Sequence, residues 1–554
     1  MEKRVVIFLV LSLAVILGYD LLLKQLGLLP PTPTVQEPRG EEAPLPRGQT
    51  ETPTAETTAS TPRSLSSASD TASSGDSRAA TPPTERIVSV ETDFIRVAFN
   101  ARGGVISSWE LKRHYTSATN ENPVQLVYQG AKFKEPLSIA TSDASADQVL
   151  REGLYAIEAD FTTLDATHPT GHVTLRFQDP ASGLKVQKRL TFRQENYLVD
   201  VSLTVDGLSG AYDIVLGTNF GIVEWGDGFI GLIGSASLVD GKVEKETPDL
   251  ELERKGTVQW VALQDKYFLS VLMPQGASAA LAKKEGDKLV SAGVRMPASG
   301  PRTTDLHLYA GPKEYDTLRS LNVGLEETID FGWFIFGSWS VVKAVAKPIF
   351  YVLRFINEYT HNYGVTIILL TMGIKMLFVP LQYKSYKSMK QMQLIQPKVL
   401  ALQEKYKDDR DKLNKELIKL YRDHKVNPVG GCLPMVLQMP VFVALFNILY
   451  MTIDLRQAPF VGWITDLSVQ DPYYVLPIIM GVTMVIQQKI TPTTMDPTQA
   501  KIMLVLPVFM TFLFVNFPAG LVLYWLTNNV LTIGQQVLTD RLFANRPFVT
   551  NPSK

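Results

Sequence analysis

The 554-residue sequence predicts a polytopic α-helical membrane protein that carries a large antiparallel β-sandwich domain outside the cytoplasm. Three observations predict it. Long apolar segments occur at the N-terminus and again beyond residue 333, and almost nowhere between. The intervening chain alternates apolar and polar residues with the period of two that a half-buried strand requires. The loops between the C-terminal apolar segments differ in charge, as the positive-inside rule demands of alternating sides.

The formal net charge of −1 averages unlike parts and excludes little by itself. The single cysteine, Cys432, rules out an intramolecular disulfide and any cysteine-type metal cluster.

The chain opens with MEKRVVIFLVLSLAVILGYDLLLKQLGLLPP, in which Lys3 and Arg4 precede an apolar run. Gly18-Tyr19-Asp20 and further leucines follow, with no small-x-small cleavage pattern. Residues 1–29 therefore read as an uncleaved anchor helix with a cytoplasmic N-terminus. Residues 30–84 are rich in Pro, Thr, Ser and Glu, too polar to offset chain entropy by burial, and read as a disordered tether.

Residues 85–328 carry the strand signal. Val199, Val201, Leu203 and Val205 alternate with polar residues, as do Val173, Leu175 and Phe177. Pro180-Ala181-Ser182-Gly183 supplies a turn before LKVQKRLTF. Residues 329–360 follow, where Lys343, Lys347 and Arg354 share one helical face amid aromatic and aliphatic residues. This is the pattern of an amphipathic helix lying in the membrane interface, and its three cations and Pro348 weigh against a spanning helix.

Residues 361–540 hold five further apolar segments: Gly364–Leu381, Cys432–Ile453, Tyr473–Ile490, Ile502–Phe517 and Ala519–Leu538. With the anchor they make six spans and place both termini on one side. Residues 383–427 carry twelve Lys/Arg against six Asp/Glu, whereas residues 454–472 carry one Arg and three Asp. The first loop is thus expected inside and the second outside. The basic loop reads as an antiparallel helical hairpin about a Lys407-Asp408-Asp409-Arg410 turn. Its positive face suits RNA or anionic lipid, or simply solvent. Residues 541–554 form a cytoplasmic tail.

No Walker A loop, HExxH or nucleophile elbow is present, and the six histidines are scattered. The unusual chemistry lies within the spans. Lys375 sits near the middle of GVTIILLTMGIKMLFVPL, where a lysine costs roughly 3 kcal/mol on insertion scales. The five C-terminal spans contain no carboxylate to pair with it. Thr371 lies one turn earlier on the same face. On periodicity alone the ammonium either faces a protein groove or snorkels about 10 Å to cytoplasmic water along the lipid face. A cation in a groove open to the cytoplasm would attract acidic residues that must cross the membrane.

NPVGGCLPMVLQMPVFVALF (Asn427–Phe446), LRQAPF (Leu455–Phe460), DLSVQDPYYVLPIIMGVTM (Asp466–Met484), PTTMDPTQAKIM (Pro492–Met503) and FPAGLVLYWLTNNV (Phe517–Val530) together resemble the YidC family of bacterial membrane protein insertases, of the Oxa/Alb/YidC superfamily. The order of elements resembles the Gram-negative form over essentially the full chain. The resemblance implies a multi-pass inner-membrane insertase and folding chaperone, not an enzyme, with a periplasmic β-supersandwich. It implies both termini in the cytoplasm, and no cofactor or metal. The implied partners are nascent membrane proteins, SecYEG and SecDF, the ribosome through the basic hairpin, and membrane lipids, with no DNA. Lys375 stands where the family's groove has arginine, which keeps the charge but loses the bidentate fork. Thr371 matches a groove residue; Phe442, Phe509 and Leu513 match an apolar slide for substrates; Tyr524 and Trp525 match an aromatic pair of the last span. The alternative reading is a small transporter or channel with a solute-binding periplasmic domain. A missing intramembrane carboxylate and the lack of an internal repeat weigh against it.

Overall fold

A computed structural model describes residues 86–225, 233–246, 251–297, 303–329, 340–406, 409–424, 426, 433–491 and 505–544. The expected anchor and tether, residues 330–339 of the interfacial element, residues 427–432 and 492–504, and residues 545–554 of the tail lie outside them.

Among the described residues, 87–312 fold as eighteen strands in three antiparallel sheets. The first sheet runs β1 (Ile87–Glu91), β2 (Ile95–Asn100), β3 (Val105–Ser117), β4 (Asn120–Gln125). A five-stranded sheet is ordered β13 (Glu251–Lys255), β16 (Ala279–Gly286), β17 (Leu289–Met296), β10 (Tyr212–Thr218), β5 (Ile139–Thr141). A nine-stranded sheet is ordered β12 (Lys242–Glu246), β11 (Gly234–Val239), β14 (Val258–Gln264), β15 (Phe268–Pro274), β18 (Thr303–Pro312), β9 (Leu198–Asp206), β8 (Lys185–Arg193), β7 (Thr170–Gln178), β6 (Ala156–Ala159). The nine-stranded sheet packs through β14 and β11 on β16 and β17, and Trp109, Trp260, Phe192 and Tyr309 are buried in one core. A short helix α1 (Ala144–Glu152) covers β5.

The alternation along β9 is realised in full: Val199, Val201, Leu203 and Val205 are buried and their neighbours are not. The turn after β7 closes as its residues require. Asp179 accepts from the amide of Ser182, and Gly183 takes φ +76°.

After β18 come α2 (Tyr315–Ser320) and then α3 (Ser340–Thr360), the helix of the amphipathic element. Val342, Ala346, Phe350 and Leu353 bury one face of α3 against α6 (Leu433–Met451), while Tyr351, Val352, Phe355 and Tyr359 remain exposed. Next, α4 (Tyr363–Lys405) is one helix of 43 residues. This helix runs unbroken from the apolar segment into the basic loop and supplies the first arm of the expected hairpin. Residues 382–405 are dominated by good helix formers, so the helix absorbs Pro380 and Pro397. It returns as α5 (Arg410–Asp423), which Asp409 caps by accepting from the Lys412 amide, and Lys398 reaches His424 at 2.9 Å.

The remaining helices are α7 (Val475–Ile490), α8 (Val505–Phe514) and α9 (Ala519–Ala544). The helices stop short of the expected segment ends at Ile453 and Phe517. Thr452 and Phe514 mark the turns, because the Thr452 side chain caps a short 3-10 turn and Pro518 opens the next helix. Among the described residues α4 is the one helix both long and apolar enough to cross a membrane by length and composition; α7 and α8 are shorter apolar helices. The last helix, α9, packs on α4, α6 and α7, and α7 packs on α8.

Candidate functional site

The site begins with how α4 is set. Asn362 caps it, its side chain accepting from the Val365 amide at 3.1 Å while its own amide group donates to the Phe460 carbonyl at 2.9 Å. Thr371 and Lys375 then follow at one-turn spacing on the face turned into the bundle. The Thr371 hydroxyl donates to the Ile367 carbonyl in its own helix, the usual arrangement for a threonine inside a helix.

Lys375 is 7% exposed, and its Nζ donates to Thr532 Oγ1 on α9 at 2.7 Å. The ammonium therefore packs against protein, on α9. Among the described residues Thr532 is its one hydrogen-bond partner, and no carboxylate reaches it. The Thr532 hydroxyl in turn donates to the Asn528 carbonyl at 2.6 Å, so its lone pairs are what it offers to the lysine.

The rest of α9 explains why it can hold this charge. Asn528, Asn529, Thr532, Gln536 and Thr539 form a polar stripe along the helix. Gln438 of α6 donates to Asn528 Oδ1 at 3.4 Å. On the flank toward α7, Asn529 donates to Thr483 at 3.3 Å and Gln536 to Thr491 at 2.8 Å. The α7–α8 contact is closed by a different device. A Cβ on Gly481 would lie 2.1 Å from Thr511 Oγ1, so only glycine permits the approach. At the far end Lys390 pairs with Asp540 at 3.1 Å.

The apolar residues singled out from sequence are distributed unevenly. Phe442 stacks on Tyr524 (6.2 Å, 30°) and meets Trp525 edge-on (5.0 Å, 85°). Trp525 also meets Phe514 at 4.7 Å, which joins α6, α8 and α9 in one aromatic cluster. On α8, Phe509 is half-buried and Leu513 is 42% exposed. The structure thus groups Phe442 with the aromatic pair rather than with the α8 residues.

Thr532 was missed by sequence reasoning. It sits 157 positions from Lys375 in an apolar run, and the one available signal was its i+4 spacing from Asn528 on a helix already rich in amides.

A second constellation joins the β-domain to the helices. Arg456 and Gln457 donate to the Tyr115 carbonyl at the end of β3, at 2.6 and 2.7 Å. The Arg456 guanidinium lies 5.3 Å from the Phe268 ring centre, and Lys266 lies 3.8 Å from that of Tyr450. Arg354 of α3 pairs with Asp316 of α2. Burial, followed by the charges of Arg456 and Arg113, pushes His114 down to about 4, so this imidazole stays neutral. Burial raises the carboxyls of Glu314 and Asp454. Among the described residues no group of three or more His, Cys, Asp or Glu is gathered to hold a metal.

Residues 87–352 match the model of the YidC periplasmic domain, and residues 355–546 match that of the 60Kd inner membrane protein. The membrane protein insertase YidC of Geotalea daltonii is 38% identical over 567 residues, covering 98% of this chain and 99% of that protein. That of Syntrophus aciditrophicus is 38% identical over 560 residues, covering 98% and 100%. A crystal structure of an active YidC insertase with its first transmembrane domain resolved aligns with 82% of this chain and 94% of its own. Its TM-score is 0.35 and its identity 18%.

Proposed function

The chain belongs to the YidC family of membrane protein insertases, and from that premise we propose that Lys375 and Thr371 line a polar groove, open to the cytoplasm, through which a substrate's polar flank enters the bilayer. The protein is a bacterial inner-membrane insertase with a periplasmic domain; its substrates are nascent membrane proteins, and its work is transfer rather than covalent catalysis. In our reading six spans place both termini in the cytoplasm, and α4 to α9 supply the insertase core. Phe442, Phe509 and Leu513 form the apolar exit along which the hydrophobic segment reaches lipid, with Tyr524 and Trp525 behind it. The basic hairpin of α4 and α5 meets the ribosome, and the protein works alone or beside SecYEG and SecDF.

The observation that carries the groove is the buried, carboxylate-free ammonium of Lys375 held between α4 and α9. A lysine in mid-membrane is costly, and such residues face cavities or partners with a use for them. An ammonium offers three donors, and here one is engaged. A passing carboxylate finds a partner in a low-dielectric site, which lowers the barrier to moving it inward.

The test is insertion of a small protein with an acidic periplasmic tail, in cells depleted of their own insertase. Lys375→Arg should support insertion at near the wild-type rate, whereas Lys375→Ala and Lys375→Glu, at equal abundance, should not. Equal insertion by all four proteins would sink the reading.

A further inference from the structure

We propose that Thr532 is a positioning residue that holds the Lys375 ammonium in the bundle and thereby sets the preference for substrates with acidic translocated segments; this rests on the groove reading above. Lysine and arginine hold their charge differently. A guanidinium is planar and rigid at its tip, but a lysine ends in a single nitrogen on a flexible four-carbon stem. Left alone near the cytoplasmic leaflet, that stem carries its charge toward water. Something must oppose this if the charge is to stay 7% exposed.

Thr532 Oγ1 is placed to do so, accepting from Nζ at 2.7 Å. Its own proton is committed to the Asn528 carbonyl at 2.6 Å. That commitment fixes the hydroxyl rotor and leaves its lone pairs directed at the lysine. The Asn528 side chain is also held, by Gln438 of α6. The charge is thus tied through one hydroxyl to a helix that two other helices brace, since Asn529 and Gln536 bind α7.

Thr532 is neutral, and this matters for turnover. A carboxylate in its place would form a buried ion pair that a substrate must break, which costs several kcal/mol when one partner is removed. A hydroxyl engages one donor of the ammonium and leaves two for the substrate. The substrate's carboxylate therefore adds to the existing bond instead of displacing it. The site holds its charge in place yet releases the substrate.

The experiment uses the full-length protein in insertase-depleted cells and follows the insertion rate of pulse-labelled substrate by protease access to its tail. Two substrates differ only in whether the tail carries Asp or the isosteric Asn. The insertase variants are Thr532→Val, Thr532→Ala, Thr532→Ser, Lys375→Ala and the double change Lys375→Ala with Thr532→Val, each checked for abundance. Thr532→Val and Thr532→Ala should slow the Asp substrate about tenfold, the scale of one charge-assisted hydrogen bond, and leave the Asn substrate nearly unchanged. Thr532→Ser should restore the rate. In the Lys375→Ala background, Thr532→Val should add nothing, because its effect runs through the lysine. The proposal falls if the Val and Ala variants slow both substrates alike, or if Thr532→Val keeps its full effect without Lys375; either would mark a packing role. If Lys375→Ala blocks the Asp substrate while both Thr532 variants insert it normally, positioning by Thr532 is refuted and the groove stands. If Lys375→Ala is also without effect, the groove reading falls with it.

Discussion

Lys188 offers the most exacting test of the β-domain's physical logic. Val186, Lys188, Leu190 and Phe192 are the inward-facing positions of β8, so strand alternation drives a lysine into the sandwich core, where it is 2% exposed. Nζ donates to the carbonyls of Gly104 at 2.7 Å, Leu137 at 2.8 Å and Gly103 at 3.3 Å. Burial lowers this amine to about 7. Lys188→Met keeps the volume and removes every donor. Each buried carbonyl left unpaired costs about 1–3 kcal/mol, offset by no longer burying an amine. The net expectation near pH 7 is a loss of about 2–4 kcal/mol. The sign of the pH dependence follows from the shift. Between about 7 and the unfolded value of 10.5 the unfolded chain binds the proton and the folded chain does not. Stability of the wild type therefore rises with pH in that window, by up to about 1.4 kcal/mol per unit, and is flat below it. The Met variant lacks this contribution, so the gap between the two proteins should widen from pH 7 to pH 9. Pulse proteolysis of the full-length protein in detergent over a urea series, at pH 6, 7.5 and 9, measures that gap through cleavage of the β-domain. A gap that is the same at all three pH values would refute the reasoning, and would mean that three carbonyls suffice to keep the ammonium charged.

Three further outcomes are expected elsewhere. Gly481→Leu should force α7 from α8 at Thr511 and cost about 1–3 kcal/mol, seen as earlier melting of the purified protein. Gly534→Leu, with nothing within 4 Å of its Cβ position, should melt like the wild type. Arg456→Ala removes the hydrogen bond to Tyr115 and the stacking over Phe268, so amide exchange at the end of β3 should quicken about tenfold while β7 and β8 keep their rates. Unchanged exchange would mean that Gln457 and Lys266 hold the β-domain to the helices without it.

Features whose cause is local were legible in the sequence. Val199 to Val205 gave away β9 because one buried face forces a period of two, and the residues around Gly183 signalled their turn because few others tolerate that backbone. Lys375 was conspicuous because any charge in an apolar run is. Its surroundings were not legible. Whether the lysine faced lipid or protein depended on a hydroxyl in another helix, and the i+4 spacing of Thr532 from Asn528 marks a polar face without naming the residue that face meets. The apolar run ends at Leu381, but nothing in KSYKSMKQMQLIQ stops a helix, so α4 continues through the basic residues. Lys188 was open to inference, since Val186 and Leu190 on either side fix its inward register, but a polar residue in a strand reads as outward-facing unless the alternation is followed through it.

The same consideration explains why α9 is built as it is. Between helices in lipid there is little hydrophobic force, so association relies on close packing and on polar bonds. Two of those bonds, from Asn529 and Gln536, run to the α7 side and join neutral partners, although Gln536 Oε1 stays buried without a partner. The third, from Lys375 to Thr532, joins a charge to a neutral acceptor and leaves donors over. The bonds toward α7 are thus neutral on both sides, whereas the flank toward α4 carries a charge with donors to spare. A helix with neutral bonds on both flanks would pack as well and would offer a carboxylate nothing. In the proposed groove one polar helix serves assembly and transfer at once because one flank holds neutral bonds and the other holds the charge.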